Sequence, residues 1–170
     1  MKLIMAVCVS LFLLGCSKMT EDELWQRVER SRASNNHDST IQVCQTILKE
    51  YPDGRKAAPA LYSLAETYQN GKHDYHAAVD YYRDFTKKYP DLNSTPIAMF
   101  LVGFIYNNNL QMIDSAGIAY TDFLSKFPNH ELALSARFEL QNLGKSPNEI
   151  IAPDKNVAAK PEKSKSKKKK

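Results

Sequence analysis

The sequence predicts an all-α fold, a solenoid of about three and a half stacked helix pairs. Two observations carry this expectation. A short stretch recurs as Tyr51-Pro52-Asp53, Tyr89-Pro90-Asp91 and Phe127-Pro128-Asn129, at a fixed step of 38 residues, and a step of this length marks a repeat built from helix pairs. An amphipathic run lies on each side of every aromatic-Pro pair, with apolar residues at spacings of 3 and 4, which argues helix rather than strand.

In chain order, residues 1–15 read as a targeting segment. Lys2 supplies the charged start, and Leu3 to Leu14 form an apolar run too short to span a bilayer. Leu13-Leu14-Gly15-Cys16 follows. This resembles the bacterial lipoprotein signal, which implies cleavage after Gly15 and lipidation of Cys16. A serine at position 17, where an aspartate would stand otherwise, resembles the outer-membrane address. Residues 16–20 are a tether. Thr20-Glu21-Asp22-Glu23 has capping-box form and opens the first helix, which carries Leu24, Trp25 and Val28. Leu24 and Trp25 compete for one core column. Asn35-Asn36-His37-Asp38 is the first turn, Asn70-Gly71-Lys72-His73-Asp74 the second, with Gly71 in a left-handed conformation, and Asn107-Asn108-Asn109 the third.

Stacking the copies aligns Ala60, Ala98 and Ala136; Tyr62, Phe100 and Phe138; Leu64, Val102 and Leu140; and, on the second helices, Cys44, Tyr82 and Tyr120. Proline after each second helix ends it and sets up the next. The last helix, Leu132 to Leu143, is expected to close the stack, with Gly144 as its C-cap. The repeat domain thus covers residues 21–144. Residues 145–170 lose periodicity and read as a disordered lysine-rich tail.

On these residues the chain resembles the tetratricopeptide repeat. The second copy supplies Leu61, Leu64, Ala65 and Tyr68, then Ala78, Tyr82, Phe85 and Pro90. The third supplies Met99, Val102, Gly103 and Tyr106, then Ala116, Tyr120, Phe123 and Pro128. The usual repeat is ~34 residues. One extra residue falls in the turn between the helices and about three between proline and the next helix.

The formal net charge is +4, unevenly spread. Residues 154–170 hold eight lysines against two acids, so the rest of the chain nets −2. The tail, with Lys163, Lys165, Lys167, Lys168, Lys169 and Lys170, is either a solubilising segment or a contact for an anionic membrane or polymer. Cys8 leaves with the signal and Cys16 is lipidated, so Cys44 has no partner for an intrachain disulfide. It reads as a small buried hydrophobe rather than a redox thiol. His73 and His76 lie three apart with no third ligand nearby, so no metal site is expected. No phosphate loop, nucleophile elbow or HExxH motif is present, and neither enzymatic activity nor a cofactor is expected.

What remains is a binding surface. In tetratricopeptide-like stacks the first helices line the concave groove, which implies a partner site at Tyr62, Glu66, Gln69, Phe100, Phe104, Asn107, Asn108 and Phe138. The same rings could instead pack between repeats. The Tyr-Pro-Asp ends, the Ala60-to-Leu64 spacing and the lipid signal together resemble the BamD family of outer-membrane lipoproteins. That resemblance implies a protein-binding scaffold in β-barrel assembly, on the periplasmic face of the outer membrane. The YbgF/CpoB family, associated with Tol-Pal, shares the repeats but lacks the lipid signal. No nucleic acid is expected as a partner.

Overall fold

The computed structural model describes residues 18–145 and 149–150. The expected signal, Cys16 and the tail lysines from Lys163 to Lys170 lie outside the described residues. Within them the chain forms α1 (Glu21–Ala33), α2 (His37–Glu50), α3 (Ala57–Glu66), a π-helical segment (Thr67–Lys72) that continues α3, α4 (Tyr75–Lys88), α5 (Thr95–Asn108), α6 (Ile113–Lys126) and α7 (Ala133–Gln141). No strand occurs among the described residues. Each helix packs on its neighbours in sequence, which gives the solenoid of helix pairs that the periodicity predicts.

The start of the stack is set by local chemistry. The Thr20 hydroxyl accepts from the Glu23 amide while the Glu23 carboxylate accepts from the Thr20 amide, so two otherwise orphaned donors are satisfied. The three joints are near copies of one another. Tyr51, Tyr89 and Phe127 sit at φ near −130° and ψ near 60°, because the following proline disfavours a helical residue before it. Each donates its amide to the residue four back, Ile47, Phe85 or Phe123. Thr95 Oγ1 closes the second joint by donating to the Tyr89 carbonyl.

The extra turn residue has a definite place. Asp74 N–H bonds the Tyr68 carbonyl and Met112 N–H bonds that of Tyr106, each six residues back, whereas Asn36 N–H bonds Ser31, five back. Copies two and three therefore carry one more residue in this turn than copy one. In copy two it is absorbed as the π-helical segment, the usual form of a one-residue insertion. Offset by 37, α1 falls into register with α3: Leu24 takes the core place of Leu61, and Trp25 the half-exposed place of Tyr62. The competition between Leu24 and Trp25 is resolved in this way.

The left-handed turn residue is not Gly71. It is Asn35, His73 or Gln111, 38 apart, at φ 53°, 54° and 55°. Asn and His enter this region more readily than most residues. Gly71 lies inside the π-helical segment, where a Cβ would run into the His37 ring, so its role is close approach. At the third turn α5 continues through Asn108 before the chain leaves it. The last helix also differs: it ends at Gln141 with Asn142 as its C-cap, and Gly144 takes φ 71° in the turn beyond. α7 covers the face that the third pair leaves open, with Ala133 and Ala136 buried in one cluster with Ala116, Tyr120 and Phe123, while Leu134 and Phe138 remain 77% and 52% exposed.

The core runs through the whole stack. Leu24, Val28, Val43, Cys44, Ile47, Ala60 and Leu64 join the first pair to α3. Leu61, Ala65, Ala78, Tyr82 and Phe85 continue it to Ala98, Val102 and Ile105 of α5. Ala116, Tyr120 and Phe123 carry it to Ala133 and Ala136 of α7. The small column Ala60, Ala98 and Ala136 is fully buried, which lets neighbouring helices approach closely. Gly103 serves the same end, since a Cβ there would lie 2.8 Å from the buried Tyr120 ring. We expect Gly103→Ala to cost about 1–3 kcal/mol by overpacking and Tyr82→Ala about 3–5 kcal/mol by cavity formation. Thermal melts measure both. A Gly103→Ala protein that melts with the parent would contradict the tight α5–α6 contact.

Candidate protein-binding face

With copy one shifted by a residue, each first helix contributes one ring to a single column: Trp25, Tyr62, Phe100 and Phe138. The first three are half-buried and the last is exposed. Tyr62 stands edge-on to Tyr82 at 5.5 Å and to Phe85 at 5.2 Å, both on its own second helix. Phe100 lies 5.6 Å from Tyr120 and 6.1 Å from Phe123, the same two places one repeat on. The ring contacts of Tyr62 and Phe100 are thus made within their own repeats. One side of each ring packs within the repeat, and the other borders solvent.

A cleft lies between the first two rings. Trp25, Ala58, Pro59, Tyr62, Leu92 and Ser94 line it, with Phe85 at its base and Arg32 at its rim. Lys56 Nζ sits 5.5 Å over the Trp25 ring, and Trp25 Nε1 donates to Glu29 at 2.9 Å. The indole is thereby held while part of it stays open. Leu92 is 43% exposed in the loop before α5. Large rings with an apolar body and a polar edge suit protein contacts. Burial, aided by the nearby Glu66 charge, raises the Tyr62 hydroxyl above its ordinary pKa, so it is a neutral donor there.

The polar residues expected beside the rings are largely engaged within the protein. Glu66 accepts from Arg32 at 2.9 Å, and the same guanidinium donates to Ser63 Oγ at 2.7 Å, which ties α1 to α3. Both partners are partly solvated, so the pair adds about 0–1 kcal/mol. Gln69 Oε1 accepts from the buried Tyr82 hydroxyl at 2.9 Å. Asn107 stands in the Gln69 column but is one methylene shorter. It donates to Glu139 at 3.3 Å, and the Tyr120 hydroxyl is left without a protein partner. Asn108 bonds the Phe104 carbonyl at 3.1 Å and stays exposed beside the half-buried Phe104 ring. Tyr62, Phe100 and Phe104 are thus on the first helices as expected, and the amides act chiefly as positioning groups.

Sequence reasoning missed Trp25 and Leu92 as members of this face. Leu92 had a signal: it is the one apolar residue in the column Gly54, Leu92 and His130. Trp25 was hidden by the one-residue insertion. Beneath the first ring column lies Cys44, fully buried, its thiol pushed up to about 12 chiefly by burial. Among the described residues no three His, Cys, Asp or Glu group so as to hold a metal ion. His73 lies against Tyr75, at 6.1 Å between ring centres. No helix of the described residues is long and apolar enough to cross a membrane.

Residues 59–92 and 97–130 match the tetratricopeptide repeat family, 34 residues in each segment. They are the second and third copies, from α3 through α6. No curated protein matches the chain. The matched repeats support a protein-interaction scaffold.

Cys44 supplies a test of the packing under this face. In a chain with Cys8 and Cys16 replaced by Ser, Cys44 should resist a thiol reagent at pH 8 and react fully once denatured. At that pH the folded thiol lies far below its raised pKa and stays neutral and shielded. Labelling of the native protein at the rate of an exposed cysteine would contradict the packing.

Proposed function

We propose that the protein is a lipid-anchored scaffold on the periplasmic face of the outer membrane that holds a segment of a partner protein, in β-barrel assembly of the BamD kind. The column of rings on successive first helices carries the binding part of this reading. Trp25, Tyr62 and Leu92 surround one cleft, and Phe100 and Phe104 extend the face along the next first helix. The partner segment needs apolar side chains at intervals that match neighbouring helices, about 10 Å apart. Arg32 and Glu66 at the rim give it one fixed cation and one fixed anion to read.

The anchor and the location rest on Leu13-Leu14-Gly15-Cys16 and Ser17. The lipid signal favours the BamD comparison over the Tol-Pal-associated one. Binding, rather than catalysis, fits a face whose charged groups already pair with one another.

Two measurements test the reading separately. Cys16→Ala should abolish palmitate labelling and release the protein from membranes; unchanged labelling and fractionation would overturn the anchor. Trp25→Ala combined with Leu92→Ser changes side chains at the edge of the fold, so the protein should still melt as a folded domain. It should lose most of the partners that the parent retrieves from solubilised envelopes, since truncated hot-spot rings cost about 2 kcal/mol or more. Equal retrieval would remove this face from consideration. Retrieval of Tol or peptidoglycan-associated proteins in place of barrel-assembly components would transfer the role to the Tol-Pal setting. Retention on peptidoglycan that depends on residues 155–170 would make the chain a polymer binder.

A further inference from the structure

Two grooves run between successive second helices, and only the first is filled by a ring of this chain. That groove lies between α2 and α4 over α3; the second lies between α4 and α6 over α5. The helices of the two correspond residue for residue at the 38-residue step. In the first groove the Tyr81 ring is stacked on Tyr68, 5.2 Å between centres and 16° between planes, and Leu48 packs into the same clusters. In the second groove the corresponding places hold Ala119, Tyr106 and Thr86. Tyr106 keeps the setting of Tyr68, since the carbonyl of each accepts from the amide six residues on, at Met112 and Asp74. The ring that lies on Tyr68 is here reduced to a methyl group.

The space left is a cleft of about 210 Å³ over Met99, Val102 and Tyr106. A cavity of ~150 Å³ is enough to admit a benzene ring. Two further exchanges between the grooves act in the same direction. Ile118, 64% exposed, lines the cleft where the first groove has Asp80, so the wall becomes apolar. Arg83 stands where the first groove has Gln45, and its guanidinium donates to the Tyr106 hydroxyl at 3.4 Å. Lys126 is a second cation at the cleft, and neither it nor Arg83 forms an ion pair among the described residues. Asp122 is the one carboxylate that lines the cleft, so its charged groups net +1.

We propose that the groove between α4 and α6 binds an aromatic residue of a partner polypeptide, flanked by acidic residues, whose ring lies on Tyr106 as that of Tyr81 lies on Tyr68. The chain itself shows the occupant's shape, because the same groove one repeat earlier is closed by a stacked ring. The unpaired Arg83 and Lys126 select acidic neighbours for that ring, by charge complementarity. A polypeptide also covers the exposed Ile118, which a free aromatic molecule of the size of the cleft would leave in water. This goes beyond the scaffold reading. The site shares no residue with the Trp25 cleft, and it needs neither that cleft nor the lipid.

A peptide of sequence Gly-Glu-Glu-Tyr-Glu-Glu-Gly is the probe, titrated at millimolar concentration into the isotope-labelled full-length protein and followed by amide NMR shifts. Saturable shifts are expected at Val102, Tyr106, Ala119 and Asp122, with none at Trp25 or Tyr62. A peptide with serine in place of tyrosine should give none. Arg83 is exposed, so Arg83→Gln should melt with the parent, and it should raise the Kd about two- to fivefold, the size of an exposed ion pair. Ala119→Tyr rebuilds the ring of the first groove. It should melt at or above the parent temperature and no longer bind the peptide, whereas Trp25→Ala should bind as the parent does. Absence of saturable shifts in the groove, equal shifts with the serine peptide, or unaltered binding by Ala119→Tyr overturns the proposal. So does an Ala119→Tyr protein that melts well below the parent, because the groove would then have no room for a ring. Equal affinity for N-acetyltyrosinamide would make the ligand a small aromatic molecule and overturn the polypeptide partner. A dimer in sedimentation that Ala119→Tyr dissociates would make the occupant a second copy and overturn it too.

Discussion

The aromatic-proline joint is the constraint from which the other features follow. Proline prevents the second helix from continuing, and the residue before it takes the same non-helical conformation three times. That residue still donates to the carbonyl four back, so the helix end is satisfied as it stops. With every second helix ended in the same way, the next first helix opens from closely similar backbone at Lys56, Ser94 and Leu132. Buried columns of Ala60, Ala98 and Ala136, and of Cys44, Tyr82 and Tyr120, then line up without separate instruction. The contacts that hold the stack are mostly between sequence neighbours, as in repeat proteins generally.

Much of this was legible in the sequence because it depends on short-range spacing. The 38-residue step, the capping box at Thr20 and the core columns all follow from residue type at fixed intervals. What was not legible depends on how the backbone accommodates an added residue. Six residues separate Tyr68 from Asp74 and five separate Ser31 from Asn36, a difference that leaves no mark in composition. It moved Trp25 from the core column to the ring column. The left-handed position stands directly before the helix cap in all three turns, and so on His73, two residues past the glycine that propensity would choose. The partners of Glu66 and Gln69 were out of reach for a different reason: Arg32 and Tyr82 meet them only once helices are packed. Residue type placed the candidate rings; tertiary contacts decided which polar neighbours stayed available.

Function in such a scaffold comes from what the repeats leave uncovered. A ring column is half-covered wherever a second helix lies behind it, which limits the area any partner can use and places the Trp25, Tyr62 and Leu92 cleft among the openings. At α7 the ring, Phe138, is 52% exposed, and no second helix lies behind it among the described residues. The Tyr120 hydroxyl, which Asn107 is one methylene too short to meet in the Gln69 geometry, has no protein partner, and neither has the Tyr89 hydroxyl at the end of the second repeat.

Native-state hydrogen exchange of the backbone amides tests the central claim, that each first helix is held in place by its own second helix. The account predicts slow exchange at Ala60 and Leu64 of α3 and at Ala98 and Val102 of α5, with clearly faster exchange at Ala136 and Leu140 of α7, which no second helix backs among the described residues. Equal protection across α3, α5 and α7 would contradict it.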